Sequence, residues 1–119
     1  MAIENANDIR IEQRGDLAVL AVDKPMLTSL EADRLLTTLQ AYREQTGCVE
    51  FVIDMTNVDF IDSACIGSLV TFLIDIDKSN GKLMLAGCQP TVAELLKITG
   101  LTTHIPLVTS IEHIHEDRE

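Results

Sequence analysis

Asp54, Asp59, Asp62, Ser63 and Cys65 stand close together in the stretch Ile53-Asp54-Met55-Thr56-Asn57-Val58-Asp59-Phe60-Ile61-Asp62-Ser63-Ala64-Cys65-Ile66-Gly67. A serine hydroxyl among carboxylates has three uses. As a catalytic nucleophile it needs a base within reach and an oxyanion site. No G-x-S-x-G elbow surrounds Ser63, and the histidines, His104, His113 and His115, all lie near the carboxyl end, so hydrolysis is not indicated. As a helix N-cap it contributes about 1 kcal/mol and no chemistry. As a phosphate acceptor at a helix start it would place the new charge against unpaired N–H groups and the positive end of the dipole, which the fold tolerates. The same charge, about −1.5 to −2, would sit beside Asp62 and near Asp59 and expel an acidic or apolar partner.

These residues need a strand before them and a helix after. Val49–Ile53 is a short β-branched, apolar run that reads as a strand buried on both faces. From Ser63, read as the N-cap, Ile66, Leu69, Val70, Leu73 and Ile76 recur at helical spacing as far as about Lys78. The hydroxyl is thus expected on a loop leaving the carboxyl end of a strand, the edge where open α/β sheets carry their sites. Among residues 64–74 only Ser68 and Thr71 are polar, so this helix is either deeply packed or partly docked on a partner.

Composition narrows the function. A chain of 119 residues with 46% apolar content and mean hydropathy +0.18 is expected to form one domain, residues 1–119, around an aliphatic core, because aromatics reach only 3%. A net charge of −10, from 9 Lys and Arg against 19 Asp and Glu, argues against nucleic acid and against an acidic membrane surface, and suits a basic protein partner. Cys48, Cys65 and Cys88 form no C-x-x-C pair and read as buried reduced thiols. No basic region followed by an apolar stretch opens the chain, and the run Ser63–Ile74 falls short of the about 20 residues that span a bilayer, so a cytoplasmic location is expected. His113 and His115 with Glu112, Glu116 and Asp117 read as a solvated tail rather than a metal site, and no phosphate-cradling glycine loop is present; neither metal nor cofactor is expected.

In order, residues 1–7 read as loose. Ile9–Gln13 alternates as an edge strand, turns at Arg14-Gly15-Asp16, and returns as the more buried Leu17–Val22. Pro25 ends that sheet segment. Thr28 with Glu31 has the form of a capping box for a helix ending near Gly47. After the central strand and helix, Asn80-Gly81 turns into a strand at Lys82–Ala86. Pro90, with Thr91 and Glu94 as a second box, opens a helix that Gly100 ends. His104–Val108 is a short last strand, and Thr109 with Glu112 caps a final helix carrying Ile111 and Ile114. The order β-β-α-β-α-β-α-β-α predicts an α/β fold: a mixed, mostly parallel sheet with an N-terminal hairpin and about four helices, covering at least one face.

The stretch that ends a strand in Asp54 and continues Phe60-Ile61-Asp62-Ser63-Ala64-Cys65-Ile66-Gly67 resembles the signature of the STAS domain family, in particular its single-domain anti-sigma factor antagonists. Gly81-Lys82-Leu83-Met84-Leu85, Pro90-Thr91-Val92, Leu95-Leu96 and Thr99-Gly100-Leu101 continue the likeness over residues 49–111. The resemblance implies partner switching. Ser63 would be phosphorylated by an anti-sigma factor that is itself a serine kinase, and reset by a serine phosphatase. Asp62 would orient the hydroxyl, and Asp62, Ser63, Ala64, Ile66, Gly67 and Val70 would form the docking surface. Ala64 replaces the family's Ser/Thr and Cys65 its Gly, which puts a side chain where a backbone is expected to come close. The same likeness admits an unphosphorylated scaffold subunit of a stressosome-type assembly or a lipid-transport accessory domain. Apart from it, an assembly scaffold in which Ser63 is only a cap and the apolar helix packs against like subunits stays open, as does a homodimer.

Overall fold

The computed structural model describes the backbone of residues 2–6 and, with side chains, residues 8–112. Its main sheet has six strands in the order β1-β2-β3-β5-β7-β8: β1 (Ala2–Ala6), β2 (Ile9–Arg14), β3 (Leu17–Val22), β5 (Glu50–Asp54), β7 (Lys82–Ala86) and β8 (Leu107–Val108). The first three strands are antiparallel neighbours, and every pairing from β3 onward is parallel. A second, two-stranded sheet pairs β4 (Met26–Leu27) with β6 (Phe60–Ile61) in parallel. Three helices, α1 (Ser29–Thr46), α2 (Ser63–Asp77) and α3 (Pro90–Ile98), make the crossovers.

Side-chain parity decides which face each strand presents. In β2, Ile9 and Ile11 are buried while Arg10 and Glu12 are exposed, the alternation of a strand with one wet face. In β3 and β5 both parities are apolar, as expected of strands covered on both sides. Ala18, Leu20, Val22, Phe51, Ile53, Leu83 and Leu85 form the main core with α1 (Leu35, Leu39, Tyr42), α2 (Cys65, Leu69, Phe72, Ile76) and α3 (Val92, Leu96). All three helices therefore lie on one face. The opposite parity, Leu17, Val19, Val52 and Ala86, forms a smaller cluster against Met84, Val108 and Ile111.

The mostly parallel sheet, its hairpin and most element bounds agree with the sequence-based expectation, and the following details differ. Residues 2–6 are not loose but form the edge strand, so β2 becomes an inner strand. The last strand is only Leu107–Val108, because Leu101–Thr103 forms a 3-10 turn and His104 follows it as a turn residue. Neither capping box forms as expected. The Thr28 hydroxyl donates to Glu31 Oε1 (2.9 Å) instead of accepting a backbone N–H, and α3 is capped at Gln89 with Pro90 as its first residue. Three α-helices are described in place of about four: Ile111 and Glu112 are helical, and the rest of the expected fourth helix, with Ile114, lies outside the described residues.

A cluster of charges holds α1 to the hairpin. Asp8, nearly buried, accepts from Arg34 (3.0 Å) and pairs with Lys24 (3.4 Å), which also meets Glu31 (3.2 Å). Its own backbone N–H, the Thr28 hydroxyl and Lys24 hold the Glu31 carboxyl down to about 2 from its ordinary 4.5. A carboxyl depressed in the folded state adds stability above its unfolded value and loses it as the pH falls toward the folded one. Stability is therefore expected to decline between about pH 4.5 and pH 2 in part through this residue. In Glu31→Gln that part of the decline should vanish from denaturation curves taken across the range; an unchanged acid slope would remove Glu31 from the account.

Candidate functional site

The loop from β5 to α2 is tied down along its length. Asp54, at the end of β5, accepts from the N–H (3.1 Å) and hydroxyl (2.6 Å) of Thr56. Thr56 in turn lies against Gly87: a Cβ at position 87 would strike Thr56 Oγ1, and the φ of +70° there also favours glycine. Gln89 donates to the Thr56 carbonyl (3.1 Å), and Asn57 donates to Asp23 (3.0 Å). The N–H groups of Asp59 and Phe60 both reach the Pro25 carbonyl (2.7 and 3.0 Å), and that of Asp62 reaches Leu27 (3.4 Å). The small β4–β6 sheet, invisible to periodicity because each strand has two residues, thus delivers the chain to α2 in an extended conformation.

That extension decides who caps the helix. Asp62 has φ −116° and ψ −175°, and its Oδ1 accepts from the N–H of Cys65 (3.1 Å), while its carbonyl takes the N–H of Ile66 (3.2 Å). The expected cap, Ser63, is instead the first residue of the helix. Two good capping residues stand side by side in sequence, and the Leu27 carbonyl selects the first by holding it extended. The Ser63 side chain is consequently left exposed, with no structural hydrogen bond of its own among the described residues. Nothing described accepts from the N–H of Ser63 or Ala64, so two donors at the positive end of the helix dipole remain open beside that hydroxyl.

The other expected site residues divide into two sets. Gly67 is exposed and follows Ser63 by one turn; Thr71 and Ile74, 57% exposed, continue the same outward stripe. Ala64, Ile66 and Val70 are half-buried and pack against the core. The apolar helix is thus packed along one side, with α1 on its flank through Arg43 and Asp75 (3.6 Å), and is open along the other. Cys65 does not project where a partner would come close. Its side chain is fully buried in the core, and burial first, then the Asp62 and Cys88 charges, push its thiol up to about 12. A thiol of that kind is un-ionised at neutral pH and a poor nucleophile.

Three of the acids expected near the hydroxyl, Asp54, Asp59 and Asp62, lie on the segment that leads to it, and the cations at this end are already engaged: Arg10 by Asp23 (2.9 Å) and Lys24 by Asp8 and Glu31. An apolar pair that the sequence reading passed over lies there as well. Met26 and Phe60 are register partners across β4–β6, half exposed, while their neighbours Leu27 and Ile61 are buried. The largest cleft described, about 760 Å³ between Gln13, Tyr42, Cys48 and Glu50, opens at the opposite end of the sheet, and Ser63 does not line it. His113, His115, Glu116 and Asp117 lie outside the described residues.

The model of the STAS domain matches residues 8–114, which take in the strand ending in Asp54, the pinned loop and the capped helix that presents Ser63. The chain belongs to the STAS domain family. Solved structures agree with this STAS fold. An anti-sigma factor antagonist from Mycobacterium paratuberculosis aligns with a TM-score of 0.80 at 18% identity over 100% of both chains. The anti-sigma factor antagonist SpoIIAA in its unphosphorylated form aligns with 0.78 at 17% identity, over 92% of this chain and 96% of that one. The Bacillus cell-fate determinant SpoIIAA in its phosphorylated form aligns with 0.71 at 16% identity, over 91% and 97%. At such identities the likeness is one of fold. No helix among the described residues of this STAS domain is long and apolar enough to cross a membrane.

Proposed function

We propose that this STAS domain is an anti-sigma factor antagonist that works by partner switching in the cytoplasm, as a binding module rather than an enzyme. With Ser63 unmodified, the face around Asp62, Ser63 and Gly67, bordered by Ala64, Ile66 and Val70, binds an anti-sigma factor that is a serine kinase, and the sigma factor is released. The kinase transfers the γ-phosphoryl group of ATP to Ser63 Oγ; the hydroxyl proton is lost and ADP leaves. The new charge drives the partner off, and a serine phosphatase hydrolyses the ester to restore the hydroxyl.

One observation carries this reading: capping of α2 is done by Asp62, so the exposed Ser63 hydroxyl has no structural task. The open N–H groups of Ser63 and Ala64 supply donors for a phosphate. The absence of Ser63 from the main cleft favours a macromolecular partner over a small ligand. The test is to incubate the purified chain with Mg-ATP and each anti-sigma-type serine kinase of its own cell, then to map phosphate by mass. One phosphate on Ser63 and none on Ser63→Ala is expected. Phosphate that persists in Ser63→Ala, or no transfer by any of these kinases, would overturn the proposal.

A further inference from the structure

Glycine in an exposed helix interior is less stable than alanine by about 1 kcal/mol. A glycine is commonly kept at such a place because a Cβ would strike something, or because φ is positive. Neither applies at Gly67. Its φ is not in the left-handed region, and a Cβ built there meets no atom within 4 Å. The fold itself has no use for this glycine, yet it stands one turn beyond Ser63 on the same outward stripe. On the strand that leads to Ser63, Phe60 and its register partner Met26 present half their surface to solvent as an adjacent apolar pair, although β4 and β6 already bury Leu27 and Ile61.

From these two features we infer the footprint of the partner: a protein backbone without a cation lies directly on the bare helix at Ser63 and Gly67, and an apolar pocket whose Lys and Arg rim faces Asp59 covers Met26 and Phe60. The inference rests on the reading of Ser63 given above and adds the surface through which that partner is recognised. Charge selects the occupant. Asp59 and Asp62 bracket Phe60 and Ile61, and the chain carries a net charge of −10, so a second copy would set acid against acid while a basic rim is attracted. Close approach at Gly67 is the steric key: an added methyl group would hold the partner's backbone away from the helix, and with it the groups that must reach Ser63.

The test uses the purified serine kinase that phosphorylates the wild-type chain, with ADP bound, and measures its affinity by calorimetry beside the melting temperature of each variant. Gly67→Ala should melt about 2–5 °C higher than wild type and yet bind at least about tenfold more weakly. The double variant Met26→Thr, Phe60→Thr should keep its melting temperature within about 2 °C and also bind at least about tenfold more weakly. Either variant binding within about twofold of wild type overturns the footprint and leaves the role of Ser63 standing. Failure of the wild-type chain itself to be bound or phosphorylated removes both. If sedimentation shows a wild-type dimer that Gly67→Ala abolishes, the occupant is a second copy, and the assignment of this face to the kinase is overturned.

Discussion

Ser63→Asp is expected to fold as the wild type does and to lose the serine kinase proposed as its partner. The side chain at 63 is exposed and makes no hydrogen bond among the described residues, so nothing has to move to admit a carboxylate. An added charge at the first turn gains about 0.3–1 kcal/mol from the dipole, partly offset by Asp62 next to it. The melting temperature should therefore shift by no more than about 2 °C. In the complex the balance is different. A carboxylate buried against a surface that evolved to meet a hydroxyl is left without a partner, at a cost of about 2–5 kcal/mol, and binding should weaken about 30-fold to several-thousand-fold. Titration calorimetry with the kinase, beside a thermal melt, reads both quantities. A variant that unfolds would show that Ser63 has a structural role after all; one that binds as tightly as wild type would show that charge at this position is not the signal.

The largest effect on stability is expected from Phe72→Ala. Phe72 is fully buried on the inner face of α2 and meets Phe51 of β5 edge-on, with ring centroids 4.9 Å apart and an interplanar angle of 89°; Phe51 in turn meets Tyr42 of α1 at 6.2 Å and 81°. In a chain with 3% aromatic residues these rings join both helices to the central strand, and the aliphatic side chains around them cannot grow to fill the space. Truncation removes the transfer free energy of the ring and leaves a cavity, together about 3–5 kcal/mol. Against a total stability of about 5–15 kcal/mol this is a large share, and the melting temperature should fall by about 10–20 °C. Urea denaturation checks the figure. A loss below about 1 kcal/mol would mean that α2 is not seated on the sheet through this ring. Because α2 carries Ser63 at its outer end, the variant should also lower the fraction of chain competent to bind, unlike Ser63→Asp, whose effect is confined to the complex.

Much of the framework was legible because it is governed by period. The alternation of Ile9, Arg10, Ile11 and Glu12, the unbroken run Leu17–Val22 and the helical spacing of Ile66, Leu69, Val70, Leu73 and Ile76 each belong to an element long enough for its pattern to repeat, although the fully buried side of α2 is Cys65, Leu69, Phe72 and Ile76. The strand Lys82–Ala86 was found to the residue because a turn signal, Asn80-Gly81, precedes it. Short or non-local elements were not legible. Met26–Leu27 and Phe60–Ile61 are too brief to show a period, and the pairing of residues 2–6 with β2 depends on a polar segment finding an unfilled strand edge.

The sequence by itself determined that this chain forms a mostly parallel α/β sheet and that an acid-flanked serine stands between a buried strand and an apolar helix. Those properties follow from residue type and spacing, which act within a few residues. Only the tertiary structure decided that Asp62 and not Ser63 caps the helix, and that Gly67, Met26 and Phe60 lie on the surface. Each depends on a contact between distant segments: the Leu27 carbonyl that holds Asp62 extended, the main core that takes the opposite side of α2, and the β4–β6 pair that turns Met26 and Phe60 outward. Local sequence can propose two caps for one helix, and a hydrogen bond from 35 residues away chooses between them.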